Sequence, residues 1–186
     1  GKPFARIQNS QKRTLAQRAR LESLRRIAEL TSEHQVDCVL VAGDAFDSPT
    51  ADRGTVSAAC SAIGQMKVPV FLIPGNHDHG GPGSIWNQDF FKQEQSQLAP
   101  NLHVVTENKP IVLEKFVLLP CPLMSRRSLS DPTSWLRDET ILTSLDSSLP
   151  RVALAHGSAQ GFTSSVDEED AFLGASNLLN LQHLPM

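Results

Sequence analysis

Three short apolar runs in this chain end in the same way. Val39-Leu40-Val41-Ala42 runs into Gly43 and Asp44, and Val70-Phe71-Leu72-Ile73 runs into Pro74, Gly75 and then Asn76, His77 and Asp78. Val152-Ala153-Leu154-Ala155 runs into His156 and Gly157. Uninterrupted apolar tetrads of this kind predict strands covered on both faces, as a parallel sheet requires. A glycine at the exit lets the backbone turn sharply, so the first polar side chain lies just beyond the strand end, where open α/β sheets bind ligands. The expectation is a single polar site at one edge of one sheet, fed by three strands.

The intervening segments supply crossovers. Residues 14–34 read as a helix in which Leu24, Ile27, Ala28 and Leu30 recur near helical spacing, and residues 53–66 read as another with Val56, Ala59, Cys60 and Ile63 on one face. This βαβ rhythm predicts a largely parallel sheet with right-handed connections. Residues 75–84 form a glycine-rich polar loop, but no Gly-Lys-Ser/Thr follows, so it is not a P-loop. A helix over 85–98 anchored by Trp86, Phe90 and Phe91, strands over 102–106 and 111–119, a polar loop over 125–134, a helix over 135–145 and a strand over 151–155 complete the expected order.

With 186 residues, 40% of them hydrophobic and 20% charged, the chain fits one α/β domain with a substantial core. No apolar stretch reaches the roughly 20 residues of a membrane helix, and no charged-then-apolar leader is seen, so no membrane partner is expected. Cys38, Cys60 and Cys121 are scattered and odd in number, which argues against a disulfide framework and favours a cytoplasmic protein. The net charge of -3 is unevenly spread: residues 1–30 hold eight Lys or Arg against two Glu. A basic face suits a phosphate backbone and an acidic remainder suits a cation, although charges along a helix also serve simply as its solvated face.

The chemistry of the strand ends is specific. Asp44 offers a carboxylate oxygen, Asn76 an amide oxygen and His156 an imidazole nitrogen, a mixed set suited to Mn, Fe or Zn rather than to a thiolate-bound structural zinc. So few negative charges leave a dication able to polarise a phosphoryl oxygen, and a carboxylate can bridge two cations about 3.5–4 Å apart. His77 directly follows Asn76 and can face the same pocket as a catalytic proton donor to a leaving group, with Asp78 expected to fix its ring. Asp47, three residues past Asp44, is expected to act from outside the ligand set as an acceptor that orients a ligand. His34, His79, His103 and His183 lack such a context.

Gly43-Asp44-Ala45-Phe46-Asp47, Gly75-Asn76-His77-Asp78 and Ala155-His156-Gly157, in that order after strands, resemble the second, third and fourth motifs of the calcineurin-like metallophosphoesterases. Val36-Asp37 leading into Ala42-Gly43-Asp44-Ala45-Phe46-Asp47 is similar to the SbcD-type DNA repair exonucleases within that superfamily. The protein serine/threonine phosphatases fit less well, because they carry Asp-Arg-Gly after the second motif and Glu after the Asn-His pair. The resemblance spans about residues 14–160.

This likeness implies a layered α/β sandwich of mostly parallel βαβ units with some antiparallel strands, and a dinuclear, usually manganese-dependent phosphodiesterase. Asp44 would bridge both metals, Asn76 and His156 would bind the second, and His77 would be catalytic with the support of Asp78. DNA is the implied substrate, and a coiled-coil ATPase and a homodimer are the implied partners. An enzyme acting on small phosphodiesters, or a non-catalytic scaffold of the same fold, shares every motif present. The family's first motif, Asp-x-His, and its last, Gly-His-x-His, are absent, so residues 1–186 are expected to be a single domain cut at both ends. Such a domain would hold at most one metal weakly and be poorly active.

Overall fold

The computed structural model describes residues 9–159, 176–182 and 184. It opens with helix α1 (Ser10–Glu33), whose first turn is capped by Asn9 accepting from the Lys12 N–H at 3.1 Å. Strand β1 (Val39–Ala42) follows, then helix α2 (Arg53–Gly64), capped by Asp52 accepting from Thr55 N–H at 3.0 Å, and strand β2 (Val70–Ile73). A 3-10 turn (Ile85–Asn87), helix α3 (Asp89–Leu98) and strand β3 (Leu102–Val104) complete the first half. β1, β2 and β3 form a parallel sheet in that order, with Val39 opposite Val70 and Val70 opposite Leu102. A second sheet contains β4 (Ile111–Val112), β5 (Val117–Cys121) and β6 (Arg151–Ala155); β4 and β5 are antiparallel, and β5 and β6 are parallel. Between β5 and β6 lie a 3-10 turn (Ser134–Arg137) and the short helix α4 (Glu139–Thr143). β7 (Ser158–Ala159) pairs with β8 (Leu178–Leu179) beyond them.

The two-residue alternation of the central strands assigns each side chain to a layer. Val70 and Leu72 of β2 pack with Ala28, Val56, Cys60, Ile63 and Phe91 under helices α1, α2 and α3. Phe71 and Ile73 of the same strand face Leu118 of β5 and Leu154 of β6, making an apolar layer between the sheets. On β5, Val117, Leu119 and Cys121 point the other way, onto Leu136 and Leu142. The result is a helix, sheet, sheet, helix sandwich, the α/β architecture anticipated from the motifs.

Three expectations are corrected. The segment 111–119 is a hairpin and not one strand: Leu113 N–H donates to Phe116 O at 2.9 Å, and the exposed Glu114 and Lys115 take the turn. Each helix expected over 85–98 and 135–145 begins as a 3-10 turn and breaks before its α-helical part. Above all, β6 belongs to the second sheet, so the three strands do not share one sheet edge. They converge because β1 and β6 approach each other across the sandwich. Both are half-buried edge strands within the described residues, yet each packs side chains to two layers. Val39 and Val41 of β1 lie under the helices and Leu40 faces the other sheet, while Val152 and Leu154 of β6 face that inter-sheet layer and Ala155 packs toward Leu136 and Leu142.

The cysteines are unpaired, and burial pushes the Cys60 and Cys121 thiols up to about 11. No helix among the described residues is long and apolar enough to cross a membrane.

The loop after β1 is anchored by Phe46, whose ring lies 5.4 Å from Trp86 and 6.5 Å from Phe91, with Trp86 and Phe91 edge to face at 5.1 Å. Phe91 is 1% exposed. Phe91→Ala is therefore expected to lower the unfolding free energy by about 3–5 kcal/mol, read from urea denaturation as a lower midpoint at unchanged slope.

Candidate metal centre

Where β1 ends, two successive residues take left-handed backbone angles, Gly43 at φ +79° and Asp44 at φ +54°. Glycine tolerates this freely, whereas an aspartate there stores about 1–2 kcal/mol that the surroundings must hold. The geometry leaves no alternative to glycine at two points. A Cβ on Gly43 would lie 2.6 Å from His156 Nδ1, and one on Gly75 would lie 2.2 Å from Asp44 Oδ1. The loops after β1, β2 and β6 thus touch directly, backbone against side chain.

What holds Asp44 in its strained position is Asp78, which has no solvent exposure. Its Oδ1 accepts from Gly75 N–H at 2.7 Å and from Asp44 N–H at 3.2 Å, and its Oδ2 accepts from Phe46 N–H at 3.0 Å. The Trp86 indole N–H donates to the Asp78 backbone carbonyl. Burial pushes the Asp78 carboxyl above its ordinary pKa, with the nearby Asp44 adding to the rise, while the three N–H donors favour the ionised form and oppose it. The expectation that Asp78 steadies the His77 ring is corrected: both its oxygens are spent on backbone donors, and it staples the first loop to the second.

Asp47 is likewise reassigned. Its carboxylate receives the Arg20 guanidinium of α1 through contacts of 2.5 and 3.2 Å, which ties helix to loop rather than orienting a ligand. The Asp47 hydrogen bond is the largest cause raising the Arg20 pKa. Sequence reasoning missed Arg20 because the two residues lie 27 positions apart. The basic character of α1 is also partly self-neutralised, with Arg25 pairing to Glu22 and Arg26 to Glu29 and Glu33.

The three candidate ligands do meet. His156 Nδ1 lies 2.7 Å from the Ala42 carbonyl, an acceptor only, so Nδ1 carries the proton and Nε2 presents a lone pair. That Nε2 lies 2.8 Å from Asn76 Oδ1 and 3.4 Å from Asp44 Oδ2. His156 Nε2 thus faces two further electron-rich atoms, and such contacts repel unless a cation or proton sits among them. The donor set fits a divalent ion of the Mn, Fe or Zn type. The Asp44 and His156 side chains keep 32% and 20% exposure, so the cradle opens to solvent. Among the described residues no group of three or more His, Cys, Asp or Glu could hold a metal; this cradle takes its third donor from an amide.

His77 stands beside the cradle, its backbone N–H donating to Asp44 Oδ1 at 3.0 Å. His79 Nδ1 is buried without a hydrogen-bond partner among the described residues. Of the remaining histidines, His103 stacks on Phe71 at 5.1 Å and His34 caps α1, while His183 lies outside the described residues.

With this geometry in place, comparison with known families gives one finding: the model for the calcineurin-like phosphoesterases matches residues 16–172.

Removing the Asp78 carboxylate strands three backbone N–H groups at about 1–3 kcal/mol each before relaxation. Asp78→Ala is expected to cost about 3 kcal/mol or more in a denaturant titration, with Asp78→Asn losing less because it keeps one acceptor. A loss below 1 kcal/mol for the alanine variant would show that the staple does not hold the loops.

Proposed function

The chain belongs to the calcineurin-like phosphoesterases, hydrolases of phosphoesters that use divalent metal ions, and from that premise we propose that it cuts the phosphodiester backbone of DNA. The observation that carries the reading is that His156 Nε2 lies 2.8 Å from Asn76 Oδ1 and 3.4 Å from Asp44 Oδ2, the three residues coming from three separate strand ends. A divalent cation bound there, for which we favour Mn²⁺, would supply Lewis acidity that polarises a phosphoryl oxygen and acidifies water.

The residues of this chain do the remainder. His156 offers Nε2 because Ala42 O holds the proton on Nδ1. Asp44 divides its oxygens, Oδ1 accepting from His77 N–H and Oδ2 turning toward His156. That division fixes the His77 backbone against the cradle, and in this proposal its imidazole delivers a proton to the leaving oxygen. Glycine at 43 and 75 lets the three loops close to this distance.

DNA is favoured by the likeness of residues 36–47 to the SbcD-type exonucleases. In this chain Phe46 seats that segment in the aromatic cluster and Asp47 ties it to basic helix α1. By the same likeness, a coiled-coil ATPase and a second copy are the proposed partners, in the cytoplasm.

Manganese-dependent release of nucleotides from a labelled duplex tests the proposal. Asp44→Ala is expected to abolish it, and His77→Ala to reduce it by roughly 10²–10⁴-fold, the usual worth of a general acid. Full activity in both variants would overturn it.

A further inference from the structure

The segment after β5 is bound to two of the three loops that form the cradle, those after β2 and β6. Leu123 N–H donates to Pro74 O at 3.0 Å and Leu123 O accepts from Gly80 N–H at 2.8 Å, so this segment runs alongside the loop carrying Asn76 and His77. Met124 packs on the same loop: a Cβ on Gly80 would lie 2.8 Å from its Sδ, and one on Gly81 would lie 2.3 Å from its carbonyl oxygen.

Further along, Asn177 clamps the segment to the loop after His156. It is buried, with a left-handed φ of +56°. Its side-chain Oδ1 accepts from Ser128 N–H at 2.9 Å and its Nδ2 donates to Arg126 O at 3.0 Å. Its backbone N–H donates to Ser128 O at 2.7 Å, and its carbonyl accepts from Ser158 N–H at 3.0 Å. Three hydrogen bonds through one strained residue define the backbone of residues 126–128, and a fourth, to Ser158, fastens it two residues from His156.

The side chains displayed by this clamp are Arg126 and Arg127. Both are exposed, and neither forms an ion pair among the described residues. This contrasts with Arg25, Arg26, Arg53 and Arg137, each matched to a carboxylate. A rigid backbone bearing two adjacent guanidinium groups with no ion pair among the described residues, bonded to the loops after β2 and β6, suits the phosphates flanking the scissile one.

We infer that Arg126 and Arg127 form the backbone-phosphate subsite that selects a polynucleotide over a small diester, with Asn177 as the positioning residue that sets their angle. The inference rests on the DNA reading above and concerns binding at the rim of that same site.

Anisotropy of a fluorescein-labelled duplex, titrated with protein in EDTA over a range of NaCl concentrations, tests it without recourse to hydrolysis. Arg126→Ala/Arg127→Ala is expected to reduce the slope of log Kd against log salt by roughly 2, at about 0.9 per phosphate contact, and to weaken low-salt binding on the order of tenfold. Arg126→Lys/Arg127→Lys is expected to restore the slope but only part of the affinity, since lysine keeps the charge and loses the planar fork. Asn177→Asp, which exchanges the Nδ2 donor for an oxygen facing Arg126 O, should weaken binding while leaving both arginines in place. An unchanged slope in the double alanine variant, or a wild-type protein that binds no duplex, overturns the inference. Retained slope differences alongside absent metal-dependent hydrolysis would instead count against the hydrolase reading.

Discussion

The Asp78 carboxylate is the interaction on which the site depends. A carboxyl group with no solvent exposure is costly unless its oxygens find donors, and here three backbone N–H groups supply them. Two of those donors belong to the loop after β1 and one to the loop after β2. The price of burial is thereby turned into a constraint: Asp44 keeps a left-handed backbone because its own N–H is one of the three.

A second constraint comes from the packing of two sheets. Because β2 and β5 each send alternate side chains into the layer between them, the sheets lie close, and β6 brings His156 over the end of β1. The imidazole is then locked by a main-chain carbonyl of the opposite sheet. A cluster of donor atoms built this way needs no dedicated scaffold; it occupies the place where two strand ends of one sheet face one strand end of another. Glycine at 43 and 75 is the steric condition for that meeting.

Much of this was legible in the amino-acid order, and the residues show why. β1 falls on the tetrad 39–42 and β2 on 70–73 because a buried strand must be apolar on both faces or alternate strictly, and few other tetrads in the chain qualify. Asp44, Asn76 and His156 could be chosen because each follows such a run. What the pattern could not convey was partnership. Whether β6 joins β1's sheet depends on contacts across more than 100 residues, and a run of Val, Ala and Leu has no preference between sheets. The contacts of Asp47 and Asp78 are illegible locally for a related reason: their partners are a guanidinium 27 residues away and main-chain N–H groups, neither of which leaves a mark in local spacing. The family match extends across residues 16–172 and supports metal-dependent phosphoester hydrolysis, while the DNA assignment rests on finer features of the same segments.

The account's central claim is that one cation is shared by ligands from three strand ends. Anomalous diffraction from a crystal soaked in Mn²⁺ addresses it directly. The account predicts a peak lying among Asp44 Oδ2, Asn76 Oδ1 and His156 Nε2 at metal-ligand distances. A manganese peak elsewhere on the protein, with His156 Nε2 still against Asn76 Oδ1 and Asp44 Oδ2, would contradict it.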